Sequence, residues 1–318
     1  MLNISKERLL LLAGTPLSYA SIWLLARLCG LELELKGILT ASPVVALLTG
    51  ALSIFATRLN MHTLRALVEC FGCGFLLTVP LVIATYVAMK TNFELADARL
   101  SQWDIWLGMD WLSIIRWLDD HALFAEIFNQ AYRTLSYQLL LCPLVLIFAK
   151  KSTRAYQMIS AYALLCFIAS AISMFWPAVG TYVFYRFDPT TLRNIDTTYG
   201  YHFLQQFHAV REDPNFIWRI EESAGILTFP SVHAAVAILC AWAMWDVRLL
   251  RYPALILNIT MAISAVPAAN HYVVDVIAGC LVGFCAIVLV VLLTKSHKRS
   301  VAEEIDRAAI PDHGLENA

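Results

Sequence analysis

The sequence predicts an all-α, polytopic membrane helical bundle of about eight transmembrane helices, with both termini cytoplasmic and one amphipathic helix in the membrane interface. Three observations carry that expectation. The 318 residues are 59% hydrophobic and only 15% charged, where soluble domains carry about a quarter charged residues. Mean hydropathy is +0.66, and the apolar residues gather into runs of span length. Five basic segments flank those runs so that an even number of spans puts all five on one side. The formal net charge of −1 leaves no basic stripe for nucleic acid.

In chain order the spans read as 9–30, 38–57, 66–89, 132–149, 155–179, 227–245, 252–269 and 272–294. The first run is span-length and lacks a small-residue cleavage site, so a retained helix is expected rather than a signal peptide. Lys6 and Arg8 precede it, and Arg58 and Arg65 follow the second span. Lys150, Lys151 and Arg154 separate the fourth from the fifth, and Arg248 and Arg251 the sixth from the seventh. Lys295, Lys298 and Arg299 follow the eighth. The positive-inside rule makes this side cytoplasmic. Residues 1–131 form an N-terminal group of helices, 132–294 a core that includes an outer loop at 180–226, and 295–318 a polar cytoplasmic tail.

Residues 95–118 carry Leu100, Trp103, Leu107, Trp111, Ile114 and Leu118 at helical spacing, with Asp97, Asp104 and Asp119 off that stripe. Tryptophan favours the headgroup boundary, so this reads as a helix lying in the membrane interface, either a lid or collar packed on the bundle or a guide for lipid. The eight cysteines sit in or beside apolar stretches. Cys70-Phe-Gly-Cys73 has the spacing of a zinc half-site but no complementary pair, so packing is its expected role. Glu69, inside the third span, is expected to make an interhelical hydrogen bond.

Two motifs carry chemistry. His233 lies in Phe229-Pro-Ser-Val-His-Ala-Ala235, and His271 in Asn270-His-Tyr-Val-Val-Asp275. On a helix, His271 and Asp275 share one face a turn apart. Ionisable groups at a membrane helix mouth are costly and mark a site. The topology brings both motifs to the non-cytoplasmic face. A His with an Asp partner can serve as base, acid or nucleophile, the carboxylate fixing its tautomer. A second His can protonate a leaving group and then take a proton from an acceptor. Two histidines and one carboxylate suit phosphoryl transfer through a phosphohistidine. They could also hold a metal, but no third ligand adjoins either motif, so neither metal nor other cofactor is expected.

Pro230-Ser-Val-His233, His271-x-x-x-Asp275 and the following Val276-Ile-Ala-Gly279 resemble the second and third signatures of the type-2 phosphatidic acid phosphatase superfamily. The resemblance covers 227–282 and extends loosely to Phe175-Trp-Pro-Ala-Val-Gly180 and His208-Ala-Val-Arg211. It implies His271 as nucleophile, Asp275 as its orienting carboxylate and His233 as acid and base, with Ser231 and neighbouring amides on the phosphate. The chain departs from the pattern where Ala265 stands in place of an arginine, and it contains no Arg-Pro. The same losses characterise the inositol-phosphorylceramide-synthase-like branch, which moves phospho-headgroups between lipids. Arg211 is the loop cation expected to compensate, ahead of Arg186, Arg193 and Arg219; His202 and His208 read as loop polar groups.

The expected function is therefore a membrane phosphatase or phosphotransferase acting on lipid phosphates among membrane lipids, metal-independent, with its site facing the periplasm of a bacterial inner membrane. The lipid, the acceptor and the oligomeric state are left open. The related haloperoxidases are soluble, against eight spans, and a transporter or scaffold would not need all three catalytic side chains.

Overall fold

The computed structural model describes residues 4–295. The polar tail from 296 onward, with Lys298 and Arg299, lies outside the described residues. The helices are α1 (Lys6–Leu28), α2 (Leu35–Arg58), α3 (His62–Lys90), α4 (Asp97–Trp106), α5 (Trp111–Asp119), α6 (Ala122–Arg133) and α7 (Leu135–Phe148). They continue as α8 (Ser152–Phe175), α9 (Thr181–Phe184), α10 (Thr198–Tyr201), α11 (Leu204–Glu212), α12 (Val232–Met244), α13 (Arg251–Ala268) and α14 (Val273–Thr294). A two-residue parallel pair, β1 (Glu32–Leu33) with β2 (Ile217–Trp218), stitches the outer loop to the α1–α2 turn.

The chain is an all-α membrane bundle. α1, α2, α3, α8 and α14 are long and apolar enough to cross a membrane, and α6 with α7, bent by 56°, would make a sixth span. Each predicted span finds a helix, but the seventh, α13, is not among those long and apolar enough to cross a membrane, and two others differ in kind. The fourth begins earlier, at Ala122, and breaks at Thr134. The sixth shrinks to the 13 residues of α12, about 20 Å of helix against a hydrocarbon core of about 30 Å. Pro230 and the N-cap Ser231 start it late, and residues 223–230 before it are non-helical.

α3 and α8 form the centre, packing on each other, with α1 and α2 against α3 and with α12 and α14 against α8. α2 shows why lipid is the outer solvent: Leu39, Leu47, Leu52 and Phe55 are exposed on it, and a bilayer accepts such a face where water would not. Cys70 and Cys73 are buried in the central core, as packing residues should be.

Glu69 does make the interhelical bonds expected of it. It is fully buried on α3 and accepts from Arg8 Nε (2.7 Å) on α1 and from the Tyr156 hydroxyl (2.7 Å) on α8, as well as from Ser53 on α2. A carboxylate at this depth needs such pairing, and here it ties four helices together.

The interfacial segment departs from the amphipathic expectation. It is two helices, because Gly108 takes a left-handed φ of +73° and turns the chain. On α4 the buried face is the acidic one: Asp104 is 1% exposed and Asp97 3%, while Trp106 is 73% exposed. The carboxylates turn inward because unpaired backbone amides await them there.

Candidate active site

The site is assembled around the turn between α13 and α14. Asn270 adopts a left-handed φ of +68°, a conformation Asn tolerates better than most residues. Its side-chain amide donates to the Val179 (2.7 Å) and Gly200 (3.3 Å) carbonyls, and its amide oxygen accepts from Tyr182 N–H. Gly180, at φ +87°, is required opposite it: a Cβ there would lie 2.3 Å from Asn270 Nδ2.

His271 follows, 4% exposed, and its Nδ1 sits 3.1 Å from Asp275 Oδ2. The same oxygen accepts from Tyr272 N–H at 3.0 Å, so the first turn of α14 orients the carboxylate. A carboxylate on Nδ1 leaves Nε2 as the free, basic nitrogen. The expected His271–Asp275 pairing is thus present.

Two further carboxylates hold this turn, and sequence reasoning missed both. Asp104 accepts from the amides of Val273 and Val274, each at 2.9 Å, the first two residues of α14. Asp97 accepts from Val179 N–H (3.0 Å), Gly180 N–H (2.8 Å) and the Tyr272 hydroxyl (3.0 Å). Those α14 amides have no helical partner of their own, and a negative charge suits the helix N-terminus. Burial is the largest influence on both carboxyls and pushes them above the usual range, while the amide hydrogen bonds pull the other way.

α12 carries His233. Ser231 is its N-cap: the hydroxyl accepts from Ala234 N–H at 3.4 Å, and Ser231 N–H donates to the Asp275 carbonyl at 3.0 Å. α12 and α14 meet backbone to backbone. A Cβ on Gly279 would lie 2.1 Å from the Ser231 carbonyl oxygen, and one on Gly283 would lie 2.5 Å from that of Ala235. Small residues permit such approach between membrane helices. The His233 ring stacks on Tyr132 of α6, centroids 4.0 Å apart at 13°, and its Nδ1 is 3.3 Å from the Tyr132 hydroxyl.

His233 and His271 line one cavity of about 280 Å³, walled by α3, Tyr132, Tyr162, Tyr199, Phe203 and the segment Gly225–Thr228. Of the five residues expected at the site, these two and Asp275 come together. Ser231 is fully buried, bonded as a cap, and not in the lining. Arg211 is not brought to the cavity: its guanidinium donates to the Phe93 carbonyl at 2.8 Å and lies over the Phe207 ring. Nor are the other loop arginines, Arg219 pairing with Glu34 at 2.9 Å; among the described residues no Lys or Arg lines the cavity. His208 pairs with Glu212 in the exposed loop.

The family model described as the PAP2 superfamily matches residues 98–289, a stretch running from α4 into α14 that takes in both histidine motifs and Asp104. No curated protein and no solved structure matches the chain. With more than half of its length covered, the chain belongs to the PAP2 superfamily.

Proposed function

We propose that the protein is an integral membrane phosphotransferase or phosphatase that acts on lipid phosphates at the non-cytoplasmic face through a phosphohistidine on His271. The observation that carries this reading is His271 with Nδ1 engaged by Asp275, sharing one cavity with His233. His271 Nε2 attacks phosphorus and forms an N–P bond. The bond from phosphorus to the leaving oxygen breaks, and protonated His233 supplies the proton that oxygen needs. His233, now neutral, takes a proton from water or an alcohol, whose oxygen attacks phosphorus while the N–P bond breaks. Asp275 holds the tautomer and offsets the positive charge on the ring. Basic segments on one side of the spans support the outward orientation of the site; the proposed setting is a bacterial inner membrane with the site facing the periplasm.

The cavity lining favours the headgroup-transfer version of this chemistry. A phosphate monoester brings two negative charges and calls for fixed cations. A phosphodiester brings one, which suits walls of tyrosine, threonine and histidine. The acceptor is then an alcohol on a second lipid.

The test is a panel of lipid phosphomonoesters and phosphodiesters, assayed on purified protein in detergent with EDTA, with and without an alcohol acceptor. Turnover in EDTA that vanishes in His271→Ala supports the reading. A strict divalent-metal requirement, or equal turnover in His271→Ala, contradicts it.

A further inference from the structure

Several buried side-chain nitrogens and oxygens among the described residues lack a hydrogen-bond partner, and of these only the Thr228 hydroxyl belongs to a residue lining the His233–His271 cavity. Thr228 is 2% exposed. A hydroxyl offers one donor and two acceptor positions, and burying it unpaired is costly. Its neighbours are uneven in the same way. The first turn of α12 presents four amides that no helical carbonyl satisfies. Ser231 N–H goes to the Asp275 carbonyl and Ala234 N–H to the Ser231 hydroxyl. The amides left over belong to Val232 and His233, and both residues line the cavity.

We propose that Thr228 is a phosphate ligand, its hydroxyl donating to a non-bridging phosphoryl oxygen beside the Val232 and His233 amides, so that uncharged donors do the work of the absent arginine. The proposal rests on the phosphoryl-transfer reading above. Charge on a transferring phosphoryl group spreads over its equatorial oxygens, where fixed donors are most effective. Neutral donors supply no full counter-charge, which again matches a phosphoryl group of single negative charge. Leu227 and Gly225, on the same non-helical segment, also line the cavity. The segment running into α12 thus brings Thr228 and the helix N-terminus to one cavity.

The experiment uses the full chain in detergent and the best substrate from the lipid panel, with orthovanadate, a trigonal-bipyramidal analogue of the transferring group, as probe. Thr228→Val keeps the shape and removes the hydroxyl; Thr228→Ser keeps the hydroxyl. Thr228→Val should weaken vanadate inhibition and lower kcat/KM by about tenfold or more, with Tm equal to or above wild type, since an unpaired buried hydroxyl has gone. Thr228→Ser should recover both to within about threefold. Wild-type vanadate inhibition and kinetics in Thr228→Val would overturn the proposal. So would a lowered Tm in Thr228→Val, which would mean that the hydroxyl is bonded within the protein, or a Ser variant as impaired as the Val variant. His271→Ala separates the two levels. If it is dead while Thr228→Val is normal, only the Thr228 assignment falls; if it still turns over, the phosphoryl-transfer reading falls and takes this assignment with it.

Discussion

The two histidines of the cavity are held in very different ways. His271 sits in a turn fastened by Asp275, Asp104, Asp97 and Asn270, each of which accepts from a backbone amide. His233 rests on the first turn of a helix capped by Ser231, and its ring has the Tyr132 face and hydroxyl for company. The difference fits a division of labour. A nucleophile has one job, and its tautomer and attack angle must be fixed beforehand. An acid that becomes a base must address two oxygens in succession, and a stacked ring leaves it that freedom.

Substitutions can break this contrast, and the largest loss is expected at the centre of the fastened turn. Asp275→Asn should lower kcat by about a thousandfold or more, on the precedent of orienting aspartates, with the protein still folded by size-exclusion chromatography. Gly279→Ala comes next. Its Cβ would fall 2.1 Å from the Ser231 carbonyl, so α12 and α14 must part, and both Tm and turnover should drop, the latter by about a hundredfold, as expected when reacting groups shift by about 1 Å. Retained Tm and turnover would mean that the two helices are not held at that distance.

Asp104→Asn leaves one acceptor for two amides and sets an NH2 group against an N–H. Single-turnover measurements should give a phosphorylation step slowed about tenfold to a hundredfold, the price of a displaced nucleophile. Tyr132→Phe keeps the stack and loses only the hydroxyl near His233, so kcat should fall by about fivefold or less, in line with one neutral hydrogen bond. A Tyr132 loss exceeding the Asp104 loss would reverse the contrast between the two histidines. The smallest effect belongs to Arg211→Ala. With its guanidinium on the Phe93 carbonyl and the Phe207 ring, turnover should stay within about twofold, as for surface substitutions away from a site.

Much of this was legible in the chain. Apolar runs marked where helices lie, because lipid imposes length and composition on a span. Spacing alone paired His271 with Asp275, since a helix places residues four apart on one face. What escaped notice depended on partners distant in sequence. Asp97 and Asp104 fall off the apolar stripe of a surface helix, and nothing local shows that the amides of α14 and of the 179–180 turn bind them. Arg211 looked available for phosphate because nothing local shows that the Phe93 carbonyl would take it. Tyr132 and Thr228 carry no motif; only the fold sets them beside His233. α12 reads as a full span because Leu227 and Phe229 extend its apolar run, whereas Pro230 and the N-cap Ser231 start the helix only at Val232.

The central claim is a covalent bond to His271, and trapping it is the direct test. Purified protein mixed with a phosphorus-labelled lipid substrate in EDTA and quenched within one turnover should carry acid-labile, base-stable label, located by mass spectrometry on His271. His271→Ala should lack that species, and His233→Ala, deprived of the acid that releases the leaving oxygen, should form it far more slowly than wild type. Label found on His233 instead, or steady turnover with no labelled histidine at any quench time, would contradict the account.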